Sequence, residues 1–185
     1  MLLNPSDWIV RWSHLLTPGA TVLDVACGSG RHLAWFAGRG HPVTGVDQSI
    51  ASAQDHVPGA ELVCADVERS DWPLRIEGGQ VRTFGAVIVT NYLWRPLMGT
   101  LMASVAPGGV LLYETFADGN AQFGRPSRAD FLLQRGELLK VCENLDVVAY
   151  EHGYLQTPPR VVQRIAAKRA TPVCAHTPDW VRQTL

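Results

Sequence analysis

The chain has 185 residues, 46% of them hydrophobic and 18% charged, with a formal net charge of −1. That length and balance suit one globular domain with a substantial core, and they disfavour a protein that tracks long nucleic acid along a basic stripe. No stretch approaches the roughly 20 apolar residues of a membrane span and residues 1–20 hold no signal-like apolar core, so the cytoplasm is the expected compartment.

Taken in order, Asn4-Pro5-Ser6-Asp7 marks a helix start, and Trp8, Ile9, Trp12, Leu15 and Leu16 recur at helical spacing, so a helix is expected over 4–17 with its tryptophans packed inward. Residues 21–26 form an apolar run that reads as a buried strand. Gly28-Ser29-Gly30 then turns the chain into an amphipathic helix, and 42–46 make a second strand ending in Asp47. A short third strand is expected at 62–66. The polar run that follows, with Gly78-Gly79, reads as a connection carrying a short helix or an edge turn.

Residues 84–91 (FGAVIVTN) are a central parallel strand by composition, leading through 92–98 into a helix that ends near Ser104. A Pro-Gly-Gly turn opens the next apolar strand within 106–116. The glycine-rich polar segment 117–128 follows it at the carboxyl edge, where open α/β sheets hold ligands. A short helix near 136–142 precedes alternating runs at 145–152 and 161–168. These read as an antiparallel pair joined by the loop YLQTPPR at 154–160. The expected organisation is one domain over 1–169, with a cofactor-binding half at 20–91 and a substrate-side half at 92–169, and a loosely ordered tail at 170–185.

The strand–loop–helix–strand unit at 21–49 puts backbone N–H groups at a helix start and a carboxylate at the tip of the next strand, an arrangement suited to a nucleoside cofactor. A dinucleotide fingerprint fails at its third glycine, which is Leu33, and no P-loop string occurs. The pattern that fits is Asp24-x-Ala26-x-Gly28-x-Gly30. It resembles motif I of the class I S-adenosylmethionine-dependent methyltransferases, D/E-x-G-x-G-x-G, departing from it at Ala26. Asp47, the acid at Asp66, the strand at 84–91 and the Pro-Gly-Gly turn fall in that family's order, so the resemblance runs over roughly residues 20–168. Arg31, opening the first helix after the loop, is similar to the small tellurite-resistance and thiopurine-type members.

The resemblance implies a Rossmann-like, doubly wound α/β fold with a mostly parallel seven-stranded sheet and an antiparallel C-terminal edge hairpin. It also implies S-adenosyl-L-methionine as cofactor. Ala26, Cys27, Gly28 and Gly30 would wrap the methionine end, with Asp24 bracing the loop and reaching the amino group. Asp47 would take both ribose hydroxyls, and Gln48 would lie beside the adenine. Asp66 and the Val67 N–H would meet the adenine edge, while Asn91 would approach the sulfonium. His32 reads equally well as a solvated helix residue. On the substrate side the candidates are Tyr92, Trp94, Arg95, Glu114 and Arg125, an aromatic pair with arginine that suits a small, anionic or planar acceptor; Trp94 and Arg95 read equally well as packing.

Methyl transfer needs no obligatory catalytic triad, because alignment does most of the work. Some acceptors are disfavoured. The [NDS]-P-P-[YFW] string of base and glutamine amino-methylation is absent, since the position reads Asn91-Tyr92-Leu93-Trp94. Carbon-5 pyrimidine chemistry needs an attacking cysteine, and Cys142 falls in an expected helix. Cys27, Cys64, Cys142 and Cys174 form no C-x-x-C pair and the histidines show no ligand spacing, so neither a metal centre nor a disulfide framework is expected. The leading expectation is a small-molecule methyltransferase, with neither nucleic acid nor membrane as partner. A tRNA or protein acceptor, a non-catalytic cofactor-binding module and, more distantly, a dinucleotide oxidoreductase stay open, as does the oligomeric state.

Overall fold

The computed structural model describes residues 4–171, so the expected tail lies outside the described residues apart from Ala170 and Thr171. Seven strands, β1 (Val22–Val25), β2 (Val43–Asp47), β3 (Glu61–Cys64), β4 (Phe84–Thr90), β5 (Val105–Phe116), β6 (Asp146–Gln156) and β7 (Pro159–Lys168), form one sheet in the order β3-β2-β1-β4-β5-β7-β6. The first five run parallel, and β7 lies antiparallel between β5 and β6. The expected doubly wound sheet with its antiparallel C-terminal pair is therefore present. Strand order reverses between β1 and β4, so the loops leaving them diverge and open a crevice at the carboxyl edge.

Alternation along each strand divides the core between two faces. On one, Trp8 and Ile9 of α1 (Asp7–Trp12), Leu33 and Phe36 of α2 (Arg31–Ala37) and Ala53 of α3 (Ala51–His56) pack over Val22, Val43, Ala86, Ile88 and Leu112. On the other, α4 (Met98–Ser104) and α5 (Glu137–Val141) cover Leu23, Val25, Val87, Val89 and Leu111. The β3–β4 crossover is an irregular segment. Trp72 and Leu74 cover the second face there, and an Arg75–Val81 bridge turns the chain back around Gly78-Gly79, which is the edge turn rather than the short helix.

Two expectations change. The N-terminal helix is shorter than 4–17: α1 passes after Trp12 into a 3-10 turn, Ser13–Leu15, where the Ser13 hydroxyl donates to the Val10 carbonyl (2.8 Å) and competes with helical continuation. Its tryptophans are buried as expected, at 1% and 5% exposure for Trp8 and Trp12. The loop expected at 154–160 contracts to Thr157-Pro158, because pairing runs on through Tyr154–Val161, Leu155–Arg160 and Gln156–Pro159.

Leu33 occupies the place where a dinucleotide loop would carry its third glycine, yet α2 still packs tightly on the sheet. The room comes from Gly45 on β2. A Cβ there would lie 2.7 Å from Leu33 Cδ1, 2.9 Å from Cys27 Sγ and 2.9 Å from Leu62 Cδ2. The glycine needed for close helix–sheet approach has thus moved from the helix to the neighbouring strand. Gly45→Ala overpacks this contact and is expected to lower stability by about 1–3 kcal/mol in urea unfolding; an unchanged midpoint would show that α2 yields freely.

Candidate functional site

The loop after β1 is held by Asp47. Its Oδ2 accepts the Gly28 N–H (2.8 Å) and its Oδ1 accepts the Ser49 N–H (2.9 Å), tying the loop to the tip of β2. A carboxylate offers about four acceptor sites, so each oxygen keeps a lone pair for a further donor. Ala26, Gly28 and Gly30 all have positive φ, at 56°, 54° and 80°. Ala26 is therefore a side-chain-bearing residue in a left-handed conformation, which explains why glycine prevails at this place in the resembling family. Cys27 is buried, and its N–H donates to the Val46 carbonyl at 3.2 Å.

Beneath the loop, Asp24 on β1 is 1% exposed, and neither carboxyl oxygen has a hydrogen-bond partner among the described residues. The nearest cation-forming group is His32 on α2, whose Nδ1 lies 3.5 Å from Asp24 Oδ2, an approach that does not amount to a hydrogen bond. The Ser6 backbone N–H donates to His32 Nε2 at 3.2 Å, so the second ring nitrogen is the one left to carry a proton toward Asp24. His32 is 1% exposed, a buried link rather than a solvated helix residue.

Ala26, Asp47, Gln48, Asp66 and Val67 line one cleft of about 380 Å³, within the range of small-molecule sites of about 300–1,000 Å³. Glu68, Arg69, Tyr92 and Phe131 complete its walls. Tyr92, expected on the substrate side, thus belongs to the cleft with the ribose-type acid. Its hydroxyl is buried without a hydrogen-bond partner among the described residues. Burial foremost, and then the Glu68 carboxylate, pushes its pKa above the usual tyrosine value. Asp66 partly acts as a turn residue, since its Oδ1 accepts the Glu68 N–H at 3.0 Å. Phe131 has no sequence signal, because it sits in an irregular stretch and reaches the cleft through a 3-10 turn.

The remaining candidates separate. Arg31 reaches over the loop toward the Thr90 hydroxyl (3.4 Å) and the Asn4 carbonyl (3.5 Å). Asn91 is exposed just past β4 with φ 54°, and its N–H donates to the Glu114 carbonyl at 2.9 Å. Glu114 is 1% exposed and accepts from Ser6 Oγ, Arg160 and Arg164. Arg95 leaves the list of substrate contacts. Its Nε and one NH2 grip Glu137 (2.7 and 2.9 Å), and its remaining donors bind the Asp130 and Leu132 carbonyls, so the guanidinium is consumed in bracing residues 130–137. Trp94 packs half-buried on the core, the alternative its sequence position allowed, and Arg125 stands exposed on its loop.

Residues 22–109 match a family model described as a methyltransferase domain. No curated protein matches the sequence. Solved structures similar in fold include TehB from Haemophilus influenzae, at 16% identity and TM-score 0.70 over 89% of this chain and 62% of that one. The chain therefore spans less than two thirds of TehB. A SAM-dependent methyltransferase from Methanosarcina mazei is similar at 14% identity and TM-score 0.68, over 91% of this chain and all of that one (100%). The Burkholderia thailandensis 1,6-didemethyltoxoflavin-N1-methyltransferase, solved with its substrate and S-adenosylhomocysteine, is similar at 20% identity and TM-score 0.61, over 88% of this chain and 76% of that one.

At such identities the likeness is one of fold. The methyltransferase-domain match over residues 22–109 and the glycine loop agree with that fold, which is the one of solved S-adenosylmethionine-dependent methyltransferases, a class whose cofactor is S-adenosylmethionine. The residues present fit that group, since neither buried Asp24 oxygen has a hydrogen bond among the described residues and His32 stands off at 3.5 Å, so a methionine ammonium would supply the missing donors. Among the described residues no group of His, Cys, Asp and Glu could hold a metal ion, and no helix is long and apolar enough to cross a membrane.

Two thiols are silenced by their surroundings. Burial foremost, with Asp24 and then Asp47 adding to it, pushes Cys27 up to about 12, and burial does the same for Cys142. Cys142 caps α5 and is 0% exposed, so it cannot serve as an attacking thiolate. Iodoacetamide on the folded protein at about pH 8.5, where an ordinary thiol is half ionised, should label exposed Cys64 well before Cys27 or Cys142, read by peptide mass spectrometry. Equal labelling would mean the loop opens readily.

Proposed function

We propose that the chain transfers a methyl group to a small-molecule acceptor by in-line displacement. The observation that carries this reading is the buried Asp24 carboxyl, without a hydrogen bond from any described residue and with only His32 near it, beneath a glycine loop whose other side is gripped by Asp47. When bound, S-adenosylmethionine supplies an electrophilic methyl carbon and leaves as a neutral thioether. The acceptor's lone pair forms the new bond as the carbon–sulfur bond breaks, and any acceptor proton passes to solvent or a nearby base.

The chain's own residues bind and orient. Asp24 takes the ammonium of the methionine end, and Ala26, Cys27, Gly28 and Gly30 wrap that end. Asp47 uses its two free lone pairs on the ribose diol. Gln48, Asp66, the Val67 N–H and the Tyr92 and Phe131 rings surround the base. Asn91 and Arg31 lie toward the methyl-bearing side, at the tip of β4. Asp47, Asp66 and Glu68 outnumber Arg69 around the cleft, and that negative balance favours a cationic sulfonium cofactor over its neutral thioether product. Alignment supplies the main acceleration, so no single residue acts as an obligatory base.

Isothermal titration with S-adenosylhomocysteine is expected to give binding in the micromolar range. Asp47→Ala removes charge-assisted contacts of about 1.5–3 kcal/mol and is expected to weaken that binding by about 10–100-fold. Unchanged affinity in a folded variant would overturn the ribose assignment.

A further inference from the structure

A second cavity, of about 310 Å³, opens at the same carboxyl edge, between α1 and the strands β5, β6 and β7. Its floor is a ladder of charges in register. Glu114 on β5 lies opposite Arg164 on β7, and Arg164 lies opposite Glu151 on β6. The helix α1 is fastened on top: Ser6 Oγ donates to Glu114 Oε1 (3.1 Å), the Trp8 ring covers the Arg164 guanidinium (4.9 Å), and Arg11 pairs with Glu151 (3.2 Å).

Arg11, Arg160 and Arg164 thus share Glu114 and Glu151. Arg164 holds the better part, donating to Glu114 Oε2 at 3.2 Å and to Glu151 through both Nε and NH2. Among the described residues the Arg160 side chain is left with one hydrogen bond, from its NH2 at 3.4 Å to the Glu114 oxygen that the Ser6 hydroxyl already occupies. Its Nε is buried with no hydrogen-bond partner among the described residues. A guanidinium has five N–H donors in a planar fork; the buried Nε is costly to leave unpaired, and the others open onto the cavity. Two parallel bonds to a carboxylate or phosphate would satisfy that fork.

We infer that this cavity binds the oxyanion of a small acidic acceptor, a carboxylate or a phosphate, on Arg160. Leu155 offers an apolar wall, Gln156 and Thr157 offer polar ones, and exposed Asp7 sits on the rim. The volume, at the lower end of small-molecule sites, fits a compact acceptor. The position fits as well. Ser6 lines the cavity and donates its backbone N–H to His32, which lies 3.5 Å from Asp24, and Glu114 stands in register with Thr90 at the tip of β4. The cavity therefore adjoins the crevice where the methionine end is assigned. The inference rests on the methyltransferase reading and narrows its acceptor.

The test titrates wild-type protein and Arg160→Gln, each with S-adenosylhomocysteine present, against benzoate, phenyl phosphate and neutral benzamide. At least one anion is expected to bind wild type 10-fold or more tighter than benzamide and to lose about 10-fold or more in Arg160→Gln, with Arg160→Lys between. Preference for benzoate or for phenyl phosphate tells carboxylate from phosphate. Anions that bind no better than benzamide, or equally well to Arg160→Gln, overturn the inference. S-adenosylhomocysteine affinity separates the two levels: its absence in wild type sinks the methyltransferase reading, whereas its presence without anion preference sinks the oxyanion site alone. If Arg160→Gln loses S-adenosylhomocysteine binding through misfolding, Arg160→Lys and the wild-type comparison of anion with benzamide decide.

Discussion

Asp24 sits near the end of a strand buried on both faces, with its carboxyl group almost wholly removed from water and lacking a hydrogen bond from any described residue. A polar group in that condition costs free energy unless something satisfies it, and a charged one costs more. The surrounding arrangement makes sense as a frame for that satisfaction. The strand order reverses beside it, the glycine loop arches over it, and His32 stands close without closing the contact. What the isolated fold leaves unpaired is the partner of a cationic ligand.

Other features follow from holding that frame rigid. Asp47 ties the loop to β2 through the Gly28 N–H, so the loop is fixed before any ligand arrives. Gly45 lets α2 sit close enough to place His32 and the loop correctly, and Leu33 fills the space that this leaves. The N-terminal helix lies on the same face as α2 and is fastened to the β5–β7–β6 half of the sheet by the Glu114–Arg164–Glu151 ladder. Through Ser6 that fastening reaches His32, so both ends of the crevice share one set of struts.

The β1–loop–α2–β2 unit was legible in the sequence because local signals agreed there: a buried apolar run, alternating small residues, and an acid at a strand tip. The doubly wound, mostly parallel sheet with its antiparallel edge pair came from the family resemblance those residues carry, and the strand order itself from the structure. Distant partners were not legible. Arg95 follows β4 directly and invited a substrate role, yet Glu137 and the carbonyls of Asp130 and Leu132, far along the chain, claim it. Arg160 was hidden for a different reason. Its neighbours Thr157-Pro158-Pro159 carry turn chemistry, and with residues 154–160 read as a loop, the period-two alternation of Arg160, Val162 and Arg164 on one face could not be seen. Phe131 enters the cleft from an irregular segment, where no periodicity exists to reveal which way a side chain faces.

The decisive measurement is thermal unfolding of Asp24→Asn beside wild type, each with and without S-adenosylhomocysteine. If the buried carboxyl waits for the ligand's ammonium, the unliganded variant should unfold at the wild-type temperature or above it, and the ligand should stabilise the variant far less than wild type. A variant that unfolds well below wild type without ligand, yet gains the full ligand-induced shift, would show that Asp24 braces the fold and takes no part in binding.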